Sequence, residues 1–514
     1  MRRILLTPLV LFAACALSAQ DLQIARLGTF STGIIGAGGA EIVAHDPGTQ
    51  RAYIVNAAGP NVQCVDISNP ASPRLLFTIA IPVGYAPNSV AVKNGVVAVA
   101  IEAPVRTDRG LVAFYDTDGN TINVVSVGSL PDMLTFTPDG TKVLVANEGE
   151  PSADYSIDPE GTVSIINLAR GVRNIGQSDV TEVRFNQFRR EDLPPSVRIF
   201  GPRATVAQDL EPEFIAVAPD SKTAFVTLQE NNAVAVIDID AARATRILGL
   251  GFKDHSLPAN RLDPSDRDNA IRLGNWPVLG MYQPDSIALF ANPEGVFLLT
   301  ANEGDARDYP GAFQEERRVA ELTLDSTAFP NGDMLKQNAN LGRLRVTNTL
   351  GDTDGDGDFD RLYSFGARSF SVWNGATGAL VWDSGDQFEL IQASNRPELF
   401  NVSNNNNTVD DRSDDKGPEP EAITVGRVGD KTYAFIGCER DGTIYAYDLT
   451  DPRNPRYAAR ADFRIPTGDP AQGTAGDLGP EGIAFVPAAE SPTRRPLLLV
   501  ANEISGTMTI WEIR

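Results

Sequence analysis

The sequence predicts an all-β fold, a seven-bladed β-propeller, on three observations. A unit of short strands and turns recurs seven times, helical periodicity is almost absent between the copies, and the last copy lacks a strand that the beginning of the chain can supply. The best-formed copy, 211–240, reads EPEFIAVAPDSKTAFVTLQENNAVAVIDID: a strand, a Pro-Asp turn, a second strand, a short loop and a third strand.

In chain order, residues 1–19 read as a signal peptide: Arg2 and Arg3, an apolar stretch from Ile4, then small residues at Ala16–Ala19. The mature chain is then secreted or periplasmic. Lipid attachment at Cys15 is disfavoured, because Phe12-Ala13-Ala14-Cys15 is a poor version of that signal. Residues 20–514 read as a single propeller. The strand-like segment LQIARLGTF at 22–30 precedes copies at 40–67, 88–116, 131–167, 211–240, 284–303, 420–449 and 480–513. The last copy stops at its third strand, TMTIWEI, so pairing it with 22–30 would close the ring and remove an exposed edge. The phrase AFVTLQENNAVAVID resembles YVTN-type propeller repeats. Excess segments lie near 149–161, 170–210, 250–283, 304–365 and 385–418, and the strand order places them on one face, 170–210 only in part. Two smaller β domains, split near 250–280 or 385–420, are the alternative; each half would have to close separately, and no linker-like segment requires it.

Composition bounds the function. Hydrophobic residues at 42% and charged residues at 22% describe a soluble globular chain. Net charge is −23, and −25 once Arg2 and Arg3 leave with the leader. That surface argues against nucleic acid and anionic membranes and suits cations. No other apolar run approaches the ~20 residues of a membrane helix. Cys64 and Cys438 sit in separate strand-like runs and read as two buried thiols, not a disulfide. A monomer is expected.

Aligning the copies exposes two polar columns. The residue just before the first strand is Glu41, Asn88, Asp132, Glu213, Asp285, Glu421 or Glu481. The residue closing the second strand is Ala57, Glu102, Glu148, Gln229, Glu303, Glu439 or Glu503. Because the two strands are antiparallel, both columns belong on one face, around the mouth of the central channel. Like charges this close raise one another's pKa or need compensation, which cations, arginines or backbone N–H groups can supply. Two readings stand: ligands for a cation, or structural groups that hydrogen-bond the neighbouring blade.

Within 304–365 lies GDTDGDGDFDRL. Asp352, Asp354, Asp356 and Asp360 stand at positions 1, 3, 5 and 9 of an EF-hand-type loop with Gly357 at position 6, and Asp358 lies between them. The twelfth position is Tyr363, so the expectation is an isolated calcium loop, not an EF-hand. The acidic stretch 404–421 holds Asp410, Asp411, Asp414 and Asp415, either as a disordered segment or as further ligands on the same face. With two histidines, His45 and His255, multi-histidine metal sites are excluded and a Ser-His-Asp system has little room. No phosphate-cradling glycine loop is present. Carboxylate-held calcium, with a second divalent cation allowed, is the remaining catalytic option. Arg307, Arg368, Arg412 and Arg440 are candidates for holding an anion, chosen only by their proximity to the loops.

The stretches LVANEGEPSADYSIDPEGTVSIINL, LTANEGDARDY, GDTDGDGDFDRLYSFGARSFSVW, DDRSDDKGPEPEAI and GPEGIAF together resemble the choice-of-anchor I family. These are extracytoplasmic propeller proteins related to mesenchyme-specific cell-surface glycoproteins, and some are labelled atypical alkaline phosphatases. The resemblance covers nearly all of the mature chain and implies a propeller and export. Members often carry a C-terminal sorting or anchoring element; with the sequence ending at TIWEIR, none is expected here. Two function classes follow. One is a calcium-dependent phosphoester hydrolase acting on a small anionic substrate; the other is a non-catalytic, calcium-stabilised module that binds a cell-surface ligand. A fold alone does not choose between them.

Overall fold

The structure, a computed structural model, describes residues 22–36 and 38–514. The proposed leader and Cys15 lie outside the described residues. Seven four-stranded antiparallel sheets follow one another along the chain. Their first strands are Val43–Asp46, Ala86–Lys93, Pro131–Phe136, Ile215–Val217, Ile287–Asn292, Pro420–Val428 and Pro480–Val486. Each packs on the first strands of the sheets before and after it, and Pro480–Val486 returns to Val43–Asp46, so the inner strands form a closed ring. This is a β-propeller. A cavity of 250 Å³ runs along the axis, walled by Val43, Val90, Leu134, Ile423 and Ile483.

The sequence makes such sheets because their middle strands are apolar on both faces. Lys142–Asn147 (KVLVAN), Thr223–Leu228 (TAFVTL) and Leu497–Asn502 (LLLVAN) are buried along almost their whole length. Alternation is lost there because each sheet is packed on both sides by its neighbours, so both faces must be apolar. The outer strand of the first sheet, Arg74–Ala80, is largely exposed by contrast.

The last sheet runs in the order Ile24–Ser31, Thr507–Ile513, Leu497–Asn502, Pro480–Val486, so the beginning of the chain supplies its outer strand. Gly28 marks a register shift in that strand, and a Cβ there would lie 2.4 Å from the Pro70 carbonyl oxygen of the next sheet. Arg26 stacks 3.5 Å above the Phe463 ring.

Two insertions behave differently from independent loops. Segments 250–283 and 304–365 pool their strands into one five-stranded sheet, ordered Phe252–Asp254, Leu279–Met281, Tyr363–Ser364, Arg345–Thr347, Glu316–Arg318. Beneath it Leu262, Val278, Val319, Leu341, Leu344 and Leu362 form a core of their own. The segment 170–210 is only partly an insertion, since Val180–Val183 within it is the outer strand of the third sheet. Leu341 is fully buried in the accessory core. Leu341→Ala is expected to cost about 3 kcal/mol in urea unfolding, through lost transfer energy and the cavity left behind.

Cys64 and Cys438 are free and buried. No helix among the described residues is long and apolar enough to cross a membrane.

The acidic face as a candidate metal centre

The first-column residues share a local device. Six of the seven follow a proline: Pro87-Asn88, Pro131-Asp132, Pro212-Glu213, Pro284-Asp285, Pro420-Glu421 and Pro480-Glu481. In four of them the pairing of first and second strand slips at this point, so Asn88, Asp132, Glu421 and Glu481 sit at bulges. Proline is tolerated because it opens the innermost strand, where its missing N–H breaks no ladder, and a bulge re-aims the next side chain. Asn88, Asp132, Asp285 and Glu481 line the narrow neck of the channel. Glu213 is 8% exposed, and Glu213 Oε2, Glu421 Oε2 and Glu481 Oε2 are buried without a hydrogen-bond partner.

The recurring Ala-Asn-Glu divides its labour. The asparagine is a clamp: Asn147 is fully buried and its Nδ2 donates to Thr162 O at 3.2 Å and to Ser164 Oγ at 3.0 Å, while its Oδ1 accepts from the Gly128 amide at 3.1 Å. Asn302 and Asn502 likewise reach their third strands, at Ser371 and Thr507. The glutamate beside each clamp is delivered to the channel mouth, where acids of both columns meet. Glu41, Glu481 and Glu503 each bring an oxygen within 4.8 Å of the others, as do Glu303, Glu419 and Glu439. Glu148 gathers with Glu211 and Glu230 in the same way.

Electrostatics separates these groups. Around Glu419, Lys416 (3.3 Å), Arg440 (2.9 Å) and Arg412 (2.7 Å) supply three cations, and Lys416 also reaches Glu303 at 2.6 Å. Glu439 is further bound by Asn404 Nδ2 at 2.5 Å. The axial acids form no ion pair among the described residues, although Arg106 lies within electrostatic reach of Asp132 and Lys416 of Asp285. Burial, then Glu503 and Asp132, push Glu41 up to about 8; burial, then Glu150 and Glu102, push Asp132 to about 7. Glu213, Asp285, Glu421 and Glu481 are all raised well above the usual carboxylate range, burial first and the neighbouring acids next. A ring of this kind either takes up protons or binds a cation.

The four arginines expected near the loops are there, but each is already engaged. Arg307, 3% exposed, binds Asp209 and Glu211; Arg368, 4% exposed, binds Glu389 at 2.9 Å and the carbonyls of Asp263, Ser413 and Asp415. Arg412 and Arg440 meet at Glu419. The partners of Arg307 and Arg368 come from other segments, whereas Arg412 is held by Asp415 and Glu419 of its own stretch and Arg440 by Glu419 and the adjacent Glu439. The 404–421 stretch is folded: Asp410 and Asp414 are buried, and Asp414 bonds Arg318 at 2.7 Å and Arg343 at 2.9 Å. Asp411 accepts from Asn406, and Asp415 pairs with Arg412 at 2.8 Å.

The predicted calcium loop forms a tight exposed turn. Asp352, Asp354 and Asp356 converge within 4.8 Å, and Asp352 accepts from the Gly355 and Gly357 amides at 2.7 and 3.1 Å. Gly357 sits at φ +97°, a conformation that favours glycine. Asp360 turns away and accepts from the Thr353 amide at 2.8 Å. Burial and Asp356 raise Asp358. Tyr363 belongs to the accessory sheet.

Glu211, Glu230, Glu419 and Lys416 stand outside both columns of the aligned sequence. A signal existed for two of them: the tripeptide Glu-Pro-Glu occurs at 211–213 and 419–421, so an extra acid precedes the column residue in both sheets.

A ring of sheets around a channel with an acid-lined mouth defines a β-propeller with a candidate cation-binding face. The chain belongs to the choice-of-anchor I family, whose domain model matches residues 41–452. It is 35% identical to gigasin-3a of Magallana gigas over 191 residues, 35% of this chain and 67% of that protein. It is 28% identical over 268 residues, 46% of this chain, to the mesenchyme-specific cell surface glycoprotein of Strongylocentrotus purpuratus, and spans 34% of that relative's length. Among solved structures it overlays hydrazine synthase of Kuenenia stuttgartiensis (TM-score 0.46, 13% identity, 94% of this chain and 97% of that one). The WD40 domain of Toxoplasma gondii coronin overlays similarly (TM-score 0.46, 9% identity, 96% and 86%).

Proposed function

We propose that this protein is an exported, calcium-binding β-propeller that acts at or outside the cell surface through its acidic face. The observation that carries the reading is the axial ring: Glu41, Asp132, Glu213, Asp285, Glu421 and Glu481 face one another without a paired cation among the described residues. Carboxylate oxygens alone, with no histidine or thiol, suit a hard ion such as calcium. The turn at Asp352, Asp354 and Asp356 is a second, peripheral candidate. Family membership and the cell-surface relative support the location.

A binding module is favoured over a phosphoester hydrolase because the arginines nearest the mouth are all held by the protein's own carboxylates and carbonyls. Protein stripped with chelator is expected to take up calcium in calorimetry at pH 8, and the Glu41→Gln/Glu481→Gln variant to lose the axial binding event. Unchanged uptake in that variant would sink the axial assignment. Turnover of p-nitrophenyl phosphate that disappears in EGTA would restore the hydrolase.

A further inference from the structure

The Glu148, Glu211 and Glu230 group shares no residue with the axial ring, although it adjoins the ring at Glu213. Glu148 closes the second strand of the third sheet, Glu211 precedes the first strand of the fourth, and Glu230 lies in the turn between that sheet's second and third strands. Their oxygens lie within 4.8 Å of one another. Around one calcium ion, ligands at the usual ~2.4 Å stand no more than about 4.8 Å apart, so three oxygens at this spacing fit a single ion.

A charge count points the same way. Arg106 is spent on Glu150, Arg198 on Glu315, and Arg307 on Asp209 and Glu211. Glu148 and Glu230 have no ion pair among the described residues, and Arg307 is shared by two acids, which leaves three negative charges. Glu230 is 5% exposed, and its Oε2 is buried with no hydrogen-bond partner. An uncompensated carboxylate so placed is costly unless something coordinates it. A second orphaned oxygen, Tyr155 Oη, stands within electrostatic reach of Glu211. Tyr155 packs edge-on against Tyr309 at 4.9 Å, and Tyr309 in turn feels Glu211 and Glu230. Two insertions thus bring their aromatic side chains to these acids.

We propose that Glu148, Glu211 and Glu230 form an enclosed calcium site, separate from the axial ring and bordered by Tyr155 and Tyr309. It shares no residue with that ring and does not depend on the axial assignment. The Glu303, Glu419 and Glu439 group has the same spacing but carries its own lysine and arginines, so it has no vacancy for a cation.

Terbium, a calcium substitute that emits when a neighbouring tyrosine is excited, separates the sites. Chelated full-length protein is expected to show tyrosine-sensitised Tb³⁺ emission that calcium displaces and magnesium displaces poorly. Glu230→Gln should weaken calcium binding at least tenfold and abolish the emission, and Glu148→Gln should do the same should the first variant fold poorly. Tyr155→Phe/Tyr309→Phe should dim the emission by altering the donors while calcium stoichiometry stays the same. Glu41→Gln/Glu481→Gln should leave the emission intact whether or not the axial ring binds calcium. No emission from the unaltered protein, or an unchanged calcium affinity in both Glu230→Gln and Glu148→Gln, would overturn the site.

Discussion

Stripped of divalent cations, the protein is expected to be most stable near pH 4 to 5 and to lose stability continuously up to pH 8, with calcium reversing the loss. The sign follows from the channel mouth. Glu41 is held at about 8 against an ordinary 4.5, and Asp132 at about 7 against 3.8, burial being the first cause in both. Burial, then Glu419 and Glu303, also lift Glu439 to about 8 despite Arg440. Such groups keep protons in the folded chain that the unfolded chain has released, so unfolding gives up protons and rising pH favours it. The stabilisation is complete below the unfolded values and gone once pH passes the folded ones. One group displaced by two units is worth about 2.7 kcal/mol; the ring members share this effect and do not add fully. Calcium at a thousand times its Kd would return about 4 kcal/mol per site. Glu419 behaves oppositely: burial works against ionisation, yet Lys416, Arg440 and Arg412 hold it far below the usual range, so its contribution fails only in strong acid. Urea unfolding across pH, with chelator and with calcium, checks this. A flat profile in chelator, or stability that climbs toward pH 8, would show that the ring is compensated by some other means.

Arg307→Ala is expected to cost about 3–5 kcal/mol, among the largest effects of any single substitution here. The guanidinium sits between two buried acids: its Nε donates to Glu211 Oε2 at 3.1 Å, it bonds the Asp209 carboxylate, and its Nη2 donates to the Asp209 carbonyl at 2.8 Å. Its face lies 4.6 Å from the Phe200 ring centre. Removing it leaves Asp209 and Glu211, both 1% exposed, without their cation. Calcium should recover part of the loss, since Glu211 is then free to give both oxygens to an ion. Arg307→Ala with Asp209→Asn should be milder than the single change, because the orphaned charge goes with it. A loss under 1 kcal/mol would mean the pair contributes little, and that Arg307 is available to an outside anion after all.

What could be read from the sequence follows from repetition. Seven copies align, so the strand order, the two acid columns and the terminal strand Ile24–Ser31 are legible in the sequence. The accessory sheet is not. Its strands are two or three residues long, too short to show periodicity, and Leu279–Met281 pairs in parallel with Tyr363–Ser364 from a distant insertion. The acids of the columns were legible for their face but not for their state. Whether a carboxylate there is neutralised depends on Lys416 and Arg307, which belong to non-repeating loops, and on Arg440, which takes a turn position that the other copies fill with uncharged or acidic residues. The same limit hid Glu230, which stands directly after Gln229 where the other copies carry Ala58, Ala103, Gly149, Gly304, Arg440 or Ile504.

The clasp between the ends of the chain has a mechanical side. Gln23 and Arg514 exchange backbone hydrogen bonds of 2.9 Å in each direction, and the antiparallel pairing continues inward from Ile24 and Ile513. Gln23 and Arg514 therefore lie side by side at one edge of this sheet. A force pulling them apart falls on the outermost pair first and peels the strand one rung after another. A strand pulled along its length would instead share the load among all its rungs. Tension applied between Gln23 and Arg514 thus opens this pairing one rung at a time.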